Sequence, residues 1–96
     1  MGPWLSHEEA RTLLQDDGLV VDVRSGAEFS AGCIPGSLNL PVHLIPALAP
    51  ERLQSDRPLL VCCESGARSA MAVHYLRRLG FLAHDLGPWT FHRDLA

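Results

Sequence analysis

Two short apolar runs constrain the fold of this chain most, because neither of them alternates with polar residues. They occupy residues 19–23, where Asp22 is the one polar residue, and residues 58–62. A strand with one face in water alternates apolar and polar side chains, whereas a strand covered on both faces is apolar throughout. The two runs therefore predict strands of a parallel sheet that is buried on both sides.

Helical patterns flank these two runs. Ser6 and Glu9 have the spacing of a capping box, which predicts a helix over residues 6–15. Apolar residues at helical spacing predict a second helix over residues 68–79, and Gly80 suits the left-handed end of a helix.

The remaining segments have weaker patterns. We expect short helical turns around residues 27–31 and 42–48, a strand over residues 81–86, and a last helix that begins at Pro88. Strands and helices that alternate with short links are typical of an α/β fold. The sequence thus predicts one domain over all 96 residues, with a small parallel sheet and helices on both faces.

Net charge and cysteine count narrow the possible classes of function. Eleven acidic residues against eight arginines give a net charge of −3, which disfavours a nucleic-acid binder because such proteins need a dense basic surface. No apolar run approaches the ~20 residues of a membrane span. Three cysteines are too few for a disulfide framework, so we expect a reducing, cytoplasmic location.

The most informative segment is residues 62–69, which follow the second buried run and lead into the second helix. Ligands of open parallel sheets bind at this end of the strands. The small residues Ser65, Gly66 and Ala67 allow successive amide N–H groups to point inward, beside a helix N-terminus that favours negative charge. Cys63 at the start of this loop would be held as the thiolate, the nucleophilic form of cysteine.

The other residues of this segment have several possible roles. Arg68 stands at the start of the helix, where it either pairs with a carboxylate or adds positive charge to the pocket. Cys62 continues the apolar run, and we expect it in the core. A zinc site made from Cys33, Cys62, Cys63 and a histidine lacks the spacing of zinc ligands, so we expect no metal.

Two motifs and a C-terminal tail occur in one order along the chain. They are Val21-Asp22-Val23-Arg24 with Glu28-Phe29 and Gly32-Cys33-Ile34-Pro35-Gly36-Ser37-Leu38-Asn39-Leu40-Pro41, then Cys63-Glu64-Ser65-Gly66-Ala67-Arg68-Ser69, then Leu79-Gly80-Phe81 and Leu86-Gly87-x-Trp89. The first resembles the pattern D-V-R…E-[FY]-x-x-G-H-I-x-G-A-x-N-[IL]-P, and the second the active loop C-x-x-G-x-R-S, of rhodanese-type sulfurtransferases. The resemblance, to the single-domain kind, spans nearly the whole chain.

This resemblance implies a two-step transfer of sulfur. Cys63 attacks the outer sulfur of a donor such as thiosulfate, becomes a persulfide and releases sulfite. An acceptor then removes the sulfur; candidates are cyanide, glutathione, thioredoxin or another thiol, and a cysteine desulfurase is a candidate protein donor. The active loop would hold both the Cys63 thiolate and the persulfide anion; its residues are Glu64, Ser65, Gly66, Ala67, Arg68 and Ser69. Neither a metal nor an organic cofactor is then required.

The resemblance also implies supporting roles for three residues. Asp22 is expected to brace the loop through hydrogen bonds, and Arg24 and Glu28 are expected to pair with each other. Cys33 stands where the family most often has histidine. Glu64 occupies the first variable position of the loop, where its carboxylate would repel the thiosulfate dianion.

Two other functions stay open on the residues alone. A small cysteine phosphatase uses a C-x₅-R loop, but only four residues separate Cys63 from Arg68, which removes one N–H donor and up to ~3.3 Å of chain from a ring that surrounds phosphate. The second alternative is a persulfide carrier or docking module for a protein partner. Docking modules commonly lack the cysteine that this chain retains.

Overall fold

A four-stranded parallel sheet forms the centre of the structure, a computed structural model that describes residues 3–95. Its strands, in the spatial order β2-β1-β3-β4, are β1 (Leu19–Asp22), β2 (Leu38–Asn39), β3 (Leu59–Cys63) and β4 (Ala83–Pro88). Each neighbouring pair is parallel. The two apolar runs are the central strands β1 and β3, which confirms the predicted α/β class and parallel sheet.

Helices cover both faces of this sheet. They are α1 (His7–Gln15), α2 (Gly26–Ala31), α3 (Ile45–Arg52), α4 (Ala67–Arg78) and single 3₁₀ turns at Val42–Leu44 and Trp89–His92. Side chains of β3 alternate between the faces, so that Val61 and Cys63 pack with α3 and α4, whereas Leu60 and Cys62 pack with α1 and the C-terminal segment. Burial on both faces explains why β1 and β3 are apolar throughout.

The first predicted helix agrees with the structure, and the last predicted helix differs from it. The capping box is present, since Glu9 N donates to Ser6 Oγ at 3.0 Å and Ser6 N donates to Glu9 Oε1 at 2.8 Å. The last helix is a 3₁₀ turn, Trp89–His92, rather than a helix that begins at Pro88. Pro88 instead ends β4, where it lies in register with Cys63 of β3.

Within residues 3–95, no helix has both the length and the apolar character that a bilayer crossing needs.

Candidate active site

Cys63 is the last residue of β3 and lies beneath the loop that leads into α4. Its side chain is fully buried. Gly66 N donates to its Sγ at 3.0 Å and Ser69 N donates to it at 3.3 Å. Two backbone N–H groups therefore converge on one sulfur atom at a helix N-terminus, an arrangement that stabilises negative charge there.

Gly66 makes this convergence possible. Its φ of +101° lies in the left-handed region, where a residue with a side chain is strained, and it is the N-cap of α4. This conformation directs its N–H back to Cys63. The buried Ser69 side chain donates to Gly66 O at 3.1 Å and so holds the turn from the other side.

Arg24 is paired with Asp22 at the carboxyl end of β1. Arg24 Nε donates to Asp22 Oδ1 at 3.0 Å, and Nη2 donates to Asp22 Oδ2 at 2.7 Å and to Gly32 O at 2.6 Å. Both side chains are buried, and the hydrogen bond with Asp22 raises the pKa of Arg24. The expected Arg24–Glu28 pair is wrong, because the buried carboxylate of Asp22 needs a cationic partner and Arg24 supplies it.

Asp22 reaches the active loop through Arg24. Arg24 Nη1 donates to Glu64 Oε1 at 3.4 Å, and Trp89 Nε1 donates to the same oxygen at 3.2 Å. The Arg24 guanidinium also lies 4.6 Å from the centroid of the Trp89 ring. Asp22, Arg24, Glu64 and Trp89 form one group, the Arg24 cluster, which ties the loop to β1 and to the segment after β4.

Glu28 pairs with Arg68. Arg68 Nη1 donates to Glu28 Oε1 at 2.6 Å and Nη2 donates to Oε2 at 2.9 Å. The bond from Arg68, followed by the bond from Ser25 N, lowers the pKa of Glu28 to about 2. Of the two roles open to Arg68, the structure has the pairing with a carboxylate, which links the start of α2 to the start of α4.

The two adjacent cysteines face opposite sides of the sheet. Burial, followed by the nearby negative charge of Asp22, raises the pKa of the Cys62 thiol and keeps it protonated. Cys62 packs in the core beside α1, as the apolar run predicts. Among residues 3–95, Cys33, Cys62 and Cys63 form no disulfide, and no three potential metal ligands come together.

The sequence reasoning missed Trp89 and Trp4. Trp89 is buried, and its indole N–H finds an acceptor in Glu64 of the active loop. Trp4 contacts the active loop at Gly66 from the far end of the chain. No local signal in the sequence points to that contact.

Residues 6–86 match the profile of the family described as Rhodanese-like domain. The chain belongs to the rhodanese-like domain family. The match includes the first motif, which contains Asp22 and Glu28, and the second motif, which is Cys63 and its loop. It therefore covers the main elements that build the site described above.

Two relatives of this rhodanese-like domain are sulfurtransferases by name. A "Sulfurtransferase" of Allochromatium vinosum is 46% identical over 66 residues, which are 69% of this chain and 61% of that protein. The chain thus spans less than two thirds of that relative. A human "Thiosulfate:glutathione sulfurtransferase" is 33% identical over 93 residues, covering 82% of this chain and 81% of that protein.

Solved structures share the same fold. The human single-domain sulfurtransferase TSTD1 superposes on this rhodanese-like domain with a TM-score of 0.78 and 30% identity, over 95% of each chain. A rhodanese-related protein of Thermoplasma volcanium superposes with a TM-score of 0.80 and 26% identity, over 96% of this chain and 90% of its own. The sheet and its helices are thus those of the family.

Proposed function

We propose that this rhodanese-like domain is a sulfurtransferase that carries a sulfane sulfur on Cys63. The observation that supports this most is the pair of backbone N–H groups, from Gly66 and Ser69, directed at Cys63 Sγ. Hydrogen bonds from N–H groups stabilise a thiolate more than a thiol, and they act without a titrating base. The sulfurtransferase names of the relatives point to the same chemistry.

The reaction balances without a cofactor. The Cys63 thiolate attacks the sulfane sulfur of the donor, a new S–S bond forms, and the electron pair of the broken bond leaves with sulfite or a donor thiolate. An acceptor thiolate or cyanide then attacks the outer sulfur, and the electron pair returns to Cys63. Charge thus lies on sulfur before and after each step, where the loop amides stabilise it.

Both arginines of the site are engaged in ion pairs with carboxylates and are not free to bind a donor anion. Arg68 is paired with Glu28, and Arg24 is paired with the buried Asp22 and with Glu64. A dianion entering the loop therefore meets amide dipoles and the Glu64 carboxylate, which is half-exposed. We infer that a singly charged persulfide donor suits the site better than thiosulfate does.

The orientation of Arg68 argues against the phosphatase alternative. A phosphatase loop turns its arginine onto the phosphate oxygens. Here Nη1 and Nη2 of Arg68 both donate to the carboxylate of Glu28 instead. Together with the four-residue spacing, this favours a pocket for one sulfur atom. The alternative of a persulfide carrier for a protein partner uses the same Cys63 chemistry and differs in its donor and acceptor.

Steady-state kinetics test the proposal. Rates measured against thiosulfate or an alkyl persulfide, at several fixed concentrations of cyanide or glutathione, should give the parallel double-reciprocal lines of a ping-pong reaction. Thioredoxin as acceptor and a cysteine desulfurase as donor complete the series. Intersecting lines, or phosphate release from an aryl phosphate faster than sulfur transfer, would contradict the proposed mechanism.

Glu64→Gln should lower the apparent KM for thiosulfate by about fivefold, the effect of roughly 1 kcal/mol of charge repulsion in a water-like dielectric. Glutamine retains an oxygen for Trp89 Nε1 but removes the negative charge and frees part of the Arg24 charge. The matched control is Glu51→Gln, an exposed carboxylate on α3. An unchanged or higher KM for thiosulfate in Glu64→Gln would show that Glu64 does not repel the donor.

A further inference from the structure

The side chain of Trp4 lies against two glycines of the active-site edge. A Cβ built on Gly66 would be 2.6 Å from Trp4 Cζ2, and a Cβ built on Gly87 would be 2.5 Å from Trp4 Cδ2. Leu5 N donates to Asp85 O at 2.8 Å and holds this N-terminal segment beside β4. The indole thus spans the gap between the active loop and the end of β4.

This contact is not ordinary core packing. Trp4 keeps 36% of its surface exposed, and its aromatic neighbour Phe91, with the ring centroids 6.1 Å apart, keeps 65% exposed. Both contacted glycines have positive φ, +101° at Gly66 and +76° at Gly87. A large rigid ring therefore lies at the surface on two glycines, the residue type with the greatest conformational freedom.

The two sides of Gly66 are held by different groups. Its carbonyl accepts from Ser69 Oγ and from Ala70 N, each at 3.1 Å. Its N–H belongs to the preceding peptide unit, between Ser65 and Gly66, and Ser65 is exposed. The indole packs on Gly66 next to that unit. This peptide unit supplies the 3.0 Å hydrogen bond to Cys63 Sγ. A group that restrains the unit therefore also keeps that hydrogen bond on the sulfur.

We propose that Trp4 is a positioning residue for the reactive sulfur: its indole, fixed on Gly87, holds the Gly66 N–H on Cys63 Sγ. The catalytic consequence rests on the proposed sulfurtransferase function, but the effect on the Cys63 thiolate does not. Loss of the ring would free Gly66 to rotate and would remove one of the two N–H donors from the thiolate.

The test is a comparison of Trp4→Ala, Trp4→Phe and the wild-type chain. Thiolate ultraviolet absorbance is measured over a pH series, with the spectrum of Cys63→Ser subtracted to isolate Cys63. In Trp4→Ala, the Cys63 thiolate should appear at higher pH, and kcat should fall about tenfold, the loss expected for one hydrogen bond to a charged group. Trp4→Phe, which retains a flat ring, should recover most of both.

Two further variants distinguish positioning from general stability. Gly87→Ala places a methyl group 2.5 Å from Trp4 Cδ2 and away from the loop. Because alanine is also strained at the φ of +76°, the thiolate spectrum and kcat are compared only under conditions where circular dichroism shows this variant folded, and there they should reproduce the effect of Trp4→Ala. Leu82→Ala removes an apolar side chain that is 50% exposed and precedes β4 at its other end, and it should leave kcat and the thiolate spectrum unchanged.

The outcomes separate this proposal from the proposed function. Wild-type thiolate titration and wild-type kcat in folded Trp4→Ala or Gly87→Ala would overturn the role of Trp4. If Trp4→Ala does not fold, the same result in Gly87→Ala alone overturns it. A wild-type chain that transfers no sulfur would refute the proposed function, and the thiolate comparison would still decide the role of Trp4.

Discussion

Asp22→Asn is expected to lower the free energy of unfolding by about 3–5 kcal/mol, the cost of leaving a buried charge without its partner. Asp22 is fully buried and Arg24 is 2% exposed, so water cannot replace the lost carboxylate. Asparagine retains one oxygen acceptor for Arg24, but its amide NH₂ replaces the other oxygen and cannot accept from Arg24. The guanidinium then has no buried carboxylate partner, and its other acceptors are Gly32 O and the half-exposed Glu64. The loop tie through Glu64 would weaken at the same time.

Urea unfolding followed by circular dichroism measures this change. The matched control is Asp17→Asn, whose carboxylate pairs with Arg57 at 3.8 Å and is 80% exposed. Exposed pairs contribute at most about 1 kcal/mol, and asparagine tolerates the positive φ of 67° at this position. Equal, small losses of unfolding free energy in both variants would contradict a large contribution of the buried Asp22–Arg24 pair to stability.

Cys63→Ser should reduce sulfur transfer to the uncatalysed rate, because a hydroxyl oxygen neither attacks the donor at neutral pH nor forms a persulfide. Cys62→Ala is the matched control: its thiol lies on the opposite face of the sheet, and burial keeps that thiol protonated. This variant should retain most of the activity. Loss of activity in Cys62→Ala without unfolding, or activity retained in Cys63→Ser, would contradict the assignment of Cys63 as the nucleophile.

Strands with a strong local pattern could be predicted from the sequence, and strands made by pairing could not. The central strands β1 and β3 are apolar throughout because both of their faces are covered. Strand β2 contains only Leu38 and Asn39, and no periodicity exists in two residues. It is defined by its neighbours, since Leu40 N and Asn39 Nδ2 both donate to Asp22 O.

The same distinction holds within the candidate site. The sequence placed Cys63 and its loop between a strand and a helix, because small residues and the start of a helix are local features. It did not determine which arginine pairs with which carboxylate. Glu28 and Arg68 are forty residues apart, and the inward turn of Arg24 follows from the burial of Asp22. Such choices depend on the packed sheet.

Intact mass after incubation with a sulfane-sulfur donor tests the central claim most directly. Thiosulfate and an alkyl persulfide are supplied separately, and excess donor is removed before the measurement. The wild-type chain and Cys62→Ala should each gain the mass of one sulfur atom, lose it when thiol or cyanide is added, and show it on the peptide that contains Cys63. Cys63→Ser should gain none. A sulfur adduct that persists in Cys63→Ser, or a wild-type chain that gains no sulfur from either donor, would contradict the assignment of Cys63 as the sulfur carrier.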